Sequence, residues 1–454
     1  MIIKLAIYNL IFPLAFLLYL PFFIRKLLRR GGLRHGFGER FGIFRAGKKR
    51  SLQSLDRPVW IHAVSVGEVV AATGFVERWQ QRSPNLQFVL STTTTTGHQE
   101  ARRRLPKNTV LIYSPIDFLF PVFRTLALAR PRLLVVFEVE IWPNLIFLTT
   151  RLRIPATLVN ARLSDRSARG YARHSWFFRP LFQRLSWISA QSEEDARRLR
   201  GIVGEKVAVD ACNTMKFDQT PDREATDLQP FIEQMFGADP EQPRTIWLAG
   251  STHPGEEELV LRVFCALKAR FPGLKLILAP RHHERTKEVE ACLRNHRLDY
   301  RLRRERETGG QTAASADVLL LNTTGELFDF YAAADLVYVG KSLAGNSGGH
   351  NIIEPAIFGK PIIHGEKMDN FRLVAHLFKQ AAACLEVADE QQLHTALATL
   401  LEQPEQRSEL GRRARQLVEQ NRGAMEKTLE RLEKVAKNSG LPIPTEASSL
   451  PAGK

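Results

Sequence analysis

Residues 345–356 combine glycine, asparagine and acid in a pattern suited to a phosphorylated ligand. Gly345-Asn346-Ser347-Gly348-Gly349-His350-Asn351 follows an apolar run ending at Gly340 and leads into Ile352-Ile353-Glu354-Pro355-Ala356. A glycine-rich turn that opens a helix offers free backbone N–H groups and a positive dipole end to a phosphate. Gly349 and Asn351 are therefore expected to contact it. Glu354, one turn into the helix, is placed to accept hydrogen bonds from both hydroxyls of a ribose. An ordinary strand-to-helix loop with a capping asparagine is the plain alternative.

Two more segments follow apolar runs in the same half: Gly250-Ser251-Thr252-His253 and Ala279-Pro280-Arg281-His282-His283-Glu284-Arg285. Ser251, Pro280 and Arg281 are read as ligand contacts, Arg281 because its planar fork suits a phosphate. His253, His282 and His283 raise a metal reading, but no carboxylate stands at ligand spacing, so no metal is expected.

In the first half, Ser65-Val66-Gly67-Glu68 and Ser91-Thr92-Thr93-Thr94-Thr95-Thr96-Gly97 bring hydroxyls and backbone donors to strand ends. Ser65, Gly67 and Glu68 suit a second, hydroxyl-bearing substrate, while the threonine run fits ligand contact and helix capping alike. Phe137-Glu138-Val139-Glu140-Ile141-Trp142-Pro143-Asn144 sets two carboxylates two residues apart, and Glu140 is the one favoured for the chemistry. Arg162, in Asn160-Ala161-Arg162-Leu163-Ser164, could hold a phosphate or form a structural salt bridge.

These segments need strands to end beside them. Val59–Ile61, Phe88–Leu90, Val110–Tyr113, Leu133–Phe137 and Thr157–Val159 read as buried strands alternating with helices, the rhythm of a parallel sheet. The rhythm breaks over Asp218–Pro243 and resumes with Ile246–Ala249, Leu274–Ala279, Val318–Leu321, Leu336–Val339 and Pro361–Ile363. The chain thus divides into an N-terminal anchor (1–30), a first α/β domain (31–217), a linker (218–243), a second α/β domain with a C-terminal helix (244–437) and a disordered tail (438–454). Two doubly wound halves are expected to face a cleft beyond their strand ends, where such sheets bind ligands.

The 454 residues carry a formal net charge of +16, which points to an anionic partner: nucleic acid, an acidic membrane surface or a phosphorylated substrate. No nucleic-acid module is recognisable, and the glycine-bearing strand ends speak against that reading. Cys212, Cys265, Cys292 and Cys384 form no CxxC pair, which argues against a zinc site or a disulfide framework. Residues 2–24 are mostly apolar and are followed by Arg25, Lys26, Arg29 and Arg30. Cations after the apolar run, with no small-residue cleavage site, favour a retained anchor over a signal peptide. The first fifty residues hold eleven Lys or Arg and one carboxylate, Glu39, so this region should press against anionic lipid.

Gly38-Glu39-Arg40-Phe41-Gly42, His62-Ala63-Val64-Ser65-Val66-Gly67-Glu68, Glu138 to Asn144, Gly250 to His253, Ala279 to Arg285 and Gly348 to Ala356 together resemble, in order, the 3-deoxy-D-manno-octulosonic acid (Kdo) transferases of lipopolysaccharide synthesis. The resemblance spans nearly the whole chain. It departs at Ala211-Cys212-Asn213-Thr214-Met215-Lys216-Phe217-Asp218, where the family usually has a glycine-asparagine pair ahead of Lys-Phe-Asp.

The resemblance implies an α/β GT-B glycosyltransferase fold of two Rossmann-like domains. It implies inverting transfer of Kdo from CMP-Kdo, a co-substrate, to the lipid A precursor lipid IVA, with no cofactor, on the cytoplasmic side of a bacterial inner membrane. Glu39 matches the family's general base. Glu140 is expected to support it, Arg40, Ser65, Gly67, Glu68 and Arg162 to bind acceptor, and Lys216 to join the donor contacts. A sugar-nucleotide epimerase or a uridine-nucleotide transferase is the enzymatic rival.

Overall fold

Apolar runs flanked by turn residues become central strands buried on both faces, as expected where helices cover a parallel sheet on both sides. The computed structural model describes residues 1–29, 36–106, 108–219, 223–237, 244–304, 316–440 and 443. The chain forms two units, Met1–Gln219 with Arg422–Lys454, and Thr220–Asn421.

The first unit holds β1 (Val59–Ala63), β2 (Phe88–Thr92), β3 (Thr109–Tyr113), β4 (Leu133–Phe137), β5 (Ala156–Ala161), β6 (Trp187–Ala190) and β7 (Val209–Ala211), in the order β3-β2-β1-β4-β5-β6-β7. The second holds β8 (Thr245–Thr252), β9 (Leu274–Pro280), β10 (Tyr300–Leu302), β11 (Val318–Leu320), β12 (Leu336–Val339), β13 (Ile362–Gly365) and β14 (Leu385–Val387), in the order β10-β11-β9-β8-β12-β13-β14. Every pairing is parallel. Strand order reverses between β1 and β4 in one sheet and between β8 and β12 in the other, which makes a crevice beyond those strand ends in each unit.

Three expected boundaries change. The described residues 223–237 of the segment read as a linker are folded onto the second unit: Gln229–Phe236 is a helix that buries Ile232 and Phe236, and Asp329 accepts hydrogen bonds from Arg223 at 2.6 and 2.8 Å and from the Thr226 N–H at 2.8 Å. The long C-terminal helix is two helices, Pro404–Asn421 and Ala424–Asn438, broken at Gly423, whose φ of 90° suits glycine.

The second of these belongs to the first unit. Its Met425, Leu429, Leu432 and Ala436 join the apolar cluster of Phe75 and Trp79, and Asp218 accepts the N–H groups of Gly423 and Met425 at 2.7 Å each. An amphipathic pattern shows that one face is buried but not which sheet buries it. Within the expected tail, Ile443 packs into this cluster, and residues 441–442 and 444–454 lie outside the described residues.

The N-terminal apolar stretch is one helix, α1 (Ile2–Arg29), which continues through Pro13 and Pro21. Residues 2–22 are long and apolar enough to cross a membrane. One face of α1 is held to the first unit. Tyr8 donates to Asp117 at 3.0 Å, Asn9 and Asn144 exchange amide hydrogen bonds at 2.9 and 2.8 Å, and Phe12 and Phe16 meet the Phe118 ring edge-on. The other face leaves Ile3, Ile7, Leu10, Leu14, Leu17 and Leu18 exposed.

Candidate active site

Glu39 sits in a short 3-10 turn, Gly38–Phe41, ended by Gly42 in the left-handed region (φ 72°). A Cβ at Gly42 would lie 3.0 Å from the Pro121 carbonyl oxygen, so the turn needs glycine on both counts. The carboxylate is held at both oxygens: Oε2 accepts the Tyr113 N–H at 3.0 Å, and Oε1 pairs with Lys48 Nζ at 2.7 Å.

It lines a cavity of about 640 Å³ with Arg45, Lys48, His98, Arg102 and Tyr113 among its walls. His98 stacks on Tyr113 with ring centroids 3.9 Å apart and contacts the Thr92 hydroxyl at 3.0 Å. Burial, with Lys48, Arg40 and Arg102 nearby, pushes its imidazole down to about 3, so it is neutral near pH 7.

Arg40, expected to meet the acceptor, is turned inward instead. It is 4% exposed, with its guanidinium 4.3 Å from the Tyr113 ring centre. The cation beside Glu39 is Lys48, which went unnoticed among the basic residues of the segment. A lysine nine positions away becomes a partner only because the helix Ala46–Gln53 folds back over the turn.

A second group gathers at the β1/β4 crevice. Ser65 and Glu68 form a capping box on the helix Val66–Arg82: the Glu68 N–H donates to Ser65 Oγ, and Glu68 accepts the N–H groups of Val64 at 2.8 Å and Ser65 at 3.1 Å. Both oxygens of Glu68 are thereby engaged in holding the turn, which gives it a structural role where acceptor contact was expected. Gly67 lies in the first turn of the same helix. Thr94 caps the next helix by accepting the Gly97 N–H at 3.0 Å, and Thr95 lines the Glu39 cavity.

After β4, Glu138 adopts φ 56°. Burial first, then the charge of Glu68, raises its carboxyl to about 7 against the pull of Lys216 and Arg162. Glu140 also rises to about 7, through burial and the charges of Glu68 and Glu138. Lys216, expected among the donor contacts, thus stands near Glu138 in the first unit, its ammonium pushed down by burial. Arg162 is exposed at the end of β5. Three strand spacings, roughly 14 Å, separate β3 from β4, so Glu39 and Glu140 belong to different clusters.

In the second unit the glycine loop follows β12. Gly345, Gly348 and Gly349 have φ of 81°, 117° and 66°, and a Cβ on Gly349 would fall 2.2 Å from Met368 Sδ. The expected free N–H groups are only partly there: Gly348 donates to the Lys367 carbonyl and Gly349 to the Lys341 carbonyl, each at 2.9 Å. The helix that follows is short, Ile353–Ile357, which leaves little dipole. Asn351 opens it by accepting the Ile353 N–H at 3.0 Å and donates to Glu354 at 3.0 Å. Burial raises the Glu354 carboxyl, opposed by Asn351 and Arg281.

The organiser of this loop is a residue the sequence reading passed over. Glu256, fully buried, accepts from Tyr338 Oη at 2.9 Å and from the N–H groups of His253, Lys341, Ser342 and Leu343 at 2.7–3.0 Å. One carboxylate thereby ties the end of β8 to the loop after β12, across the crevice of that sheet. Its signal in the sequence is weak, because a glutamate in the first turn of a helix looks like an ordinary cap.

Ser251 sits at a register shift in β8 with φ 56°. His253 and His350 meet Nε2 to Nε2 at 3.0 Å, and Pro280 ends β9 ahead of an exposed Arg281. Among the described residues no three potential ligands gather for a metal ion.

Comparison with known proteins assigns this architecture. The family model described as 3-Deoxy-D-manno-octulosonic-acid transferase (kdotransferase) matches residues 35–219. A 3-deoxy-D-manno-octulosonic acid transferase of Haemophilus influenzae is 33% identical over 375 residues, covering 82% of this chain and 86% of that protein. One from Bordetella pertussis is 33% identical over 418 residues, covering 90% and 94%. Among solved structures, a glycosyltransferase from Rickettsia africae shares the fold at a TM-score of 0.54 and 12% identity, covering 85% of this chain and all of that one. With two parallel-sheet units of GT-B type, the chain is a glycosyltransferase and belongs to the 3-deoxy-D-manno-octulosonic acid transferases.

Proposed function

We propose that this enzyme transfers Kdo from CMP-Kdo to lipid IVA with inversion, with Glu39 as general base. The observation that carries the reading is the Glu39 carboxylate, fixed by the Tyr113 N–H and facing a cationic cavity. An acceptor hydroxyl attacks the anomeric carbon of Kdo and gives its proton to Glu39. The bond to CMP breaks, and its electron pair leaves with the phosphate.

Arg281 meets the departing phosphate, and Glu354, oriented by Asn351, holds the ribose. Ser251, Pro280 and Gly349 complete the donor contacts. Positive charge does the work of stabilising the leaving group, so the proposal includes no metal step. Glu140 is retained as a supporting group only through its raised carboxyl, which shares a cluster with Glu138 and Lys216. Ser65, Gly67 and Arg162 stand at acceptor-side strand ends.

We further propose that α1 attaches the enzyme to the cytoplasmic face of the inner membrane and lies along that surface. The polar clasp of Tyr8 and Asn9 on Asp117 and Asn144 favours an interfacial helix over a spanning one, because a spanning helix would have to abandon it. Its exposed apolar face meets lipid, and its basic flank meets anionic head groups.

The test is mass spectrometry of lipid IVA after incubation with a CMP-Kdo generating system. Wild type adds one or more Kdo masses, and Glu354→Ala adds far fewer at low donor concentration. A wild-type protein that adds none defeats the donor or acceptor assignment.

A further inference from the structure

The turn that carries Glu39 is held by a stretch that α1 holds in turn. The Arg40 carbonyl, next to Glu39, accepts the Ile116 N–H at 2.7 Å. Tyr113, whose N–H fixes the Glu39 carboxylate, ends β3 just ahead of that stretch. Residues 114–118 then lead into the helix Leu119–Ala129, and Asp117 among them is only 1% exposed.

Asp117 collects donors from two other elements. From α1, Tyr8 Oη donates to Oδ2 at 3.0 Å. From the helix Pro143–Arg151, the Asn144 and Leu145 N–H groups donate to Oδ2 and Oδ1 at 2.9 Å each. That helix has no side-chain cap of its own, so the Asp117 carboxylate caps it from outside. The Asn144 amide donates to the Asp117 carbonyl at 2.5 Å and exchanges hydrogen bonds with Asn9 of α1. Phe118 meets the rings of Phe12 and Phe16, so α1 grips the stretch by polar and apolar contacts alike.

Attachment to lipid requires only an apolar face. A hydroxyl aimed at a buried carboxylate and an amide aimed at the buried Asn144 answer a different need. Burial raises the Asp117 carboxyl to about 7 against the pull of its three donors. Facing it, the Tyr8 phenol is kept neutral by burial and by Asp117, and the helix Pro143–Arg151 presents uncharged N–H groups. The charge that caps this helix therefore depends on those donors.

We infer that α1 braces the base as well as anchoring the enzyme, and that Asp117 is a positioning residue: Tyr8 and Asn9 fix the 114–118 stretch, and its Ile116 N–H fixes the turn that carries Glu39. The inference rests on Glu39 as base. The brace lies inside the first unit, so it acts without a bilayer.

The experiment measures kcat and KM for lipid IVA in neutral detergent from pH 6 to 9, with donor supply in excess, for wild type and Tyr8→Phe. Detergent takes away the need for attachment. Tyr8→Phe removes a donor from the charged form of Asp117, raises its carboxyl further and so leaves it protonated over a wider range. At pH 6.5 its kcat should lie about tenfold below wild type and approach wild type by pH 9, with KM within about twofold.

Equal kcat at every pH would overturn the inference. So would a loss of the same size at every pH, which marks damage unrelated to the Asp117 charge, or a change confined to KM, which places α1 at the acceptor instead. Should Tyr8→Phe fail to fold, hydrogen exchange of wild type carries the test. From pH 8.5 to 6, protection of the Ile116, Asn144 and Leu145 amides should fall together by about tenfold while β4 keeps its own. Constant protection counts against the brace. Glu39→Gln is assayed in parallel: full activity there removes the base reading, a result distinct from a pH-dependent loss in Tyr8→Phe.

Discussion

Both units are seven-stranded parallel sheets with one reversal of strand order, yet they use their strand ends differently. The first gathers opposed charges: Glu39 with Lys48 beside β3, and Glu138, Glu140, Lys216 and Arg162 around β4 and β5. The second gathers backbone: Glu256 collects four N–H groups and shapes a glycine loop. Proton transfer needs charges that can change, and holding a leaving group needs donors that stay put. Under the proposed mechanism, one scaffold would serve both halves of a displacement.

The contrast can be broken at several points. The largest effect is expected from Glu39→Gln, which should lower kcat by about a thousandfold, as loss of a general base does, in the lipid mass assay. Glu256→Ala strands several buried donors and should destabilise the second unit by about 3 kcal/mol, read as a lower urea midpoint together with weaker CMP binding.

A smaller effect is expected from pH. Glu138 and Glu140 titrate near 7 when folded and near about 4.3 when unfolded, so the folded state binds the extra protons between those values. Their stabilisation is complete below about pH 4 and is lost as pH rises through about 7. Thermal midpoints should therefore fall from pH 5 to pH 8, and Glu138→Gln should flatten that fall by on the order of 1–2 kcal/mol. Smallest is Ser65→Ala, which removes half of the capping box on Val66–Arg82 and should cost about 1 kcal/mol in urea unfolding without changing CMP binding.

Much of the scaffold was legible because long buried strands are continuous apolar runs. The ten runs read from sequence all lie in or overlap strands, whereas β6, β7, β10 and β14 escaped notice. These lie toward sheet edges and are interrupted by Ser189, Asp210, Arg301 and Glu386, so they lack the continuous apolar run that marked the equally short β11. The segment 218–243 looked like a linker because Asp and Pro are common there, but Arg223 and Thr226 bind Asp329, a hundred residues on.

At the site, Glu39 stood out as the lone acid of a basic segment. Lys48, Tyr113 and Glu256 did not, because their roles depend on where side chains and backbone meet after folding. Gly348 and Gly349 were read as free donors, although loop closure uses both N–H groups. Glycine spacing marks the turn but not which donors remain for a ligand.

The central claim is that base and donor seat reside in separate units of one enzyme. Its most direct test is CMP affinity, by calorimetry, measured on the same Glu39→Gln preparation assayed for transfer. The account predicts CMP binding within about twofold of wild type while transfer falls about a thousandfold. Transfer within tenfold of wild type, or loss of CMP binding together with transfer, would contradict it.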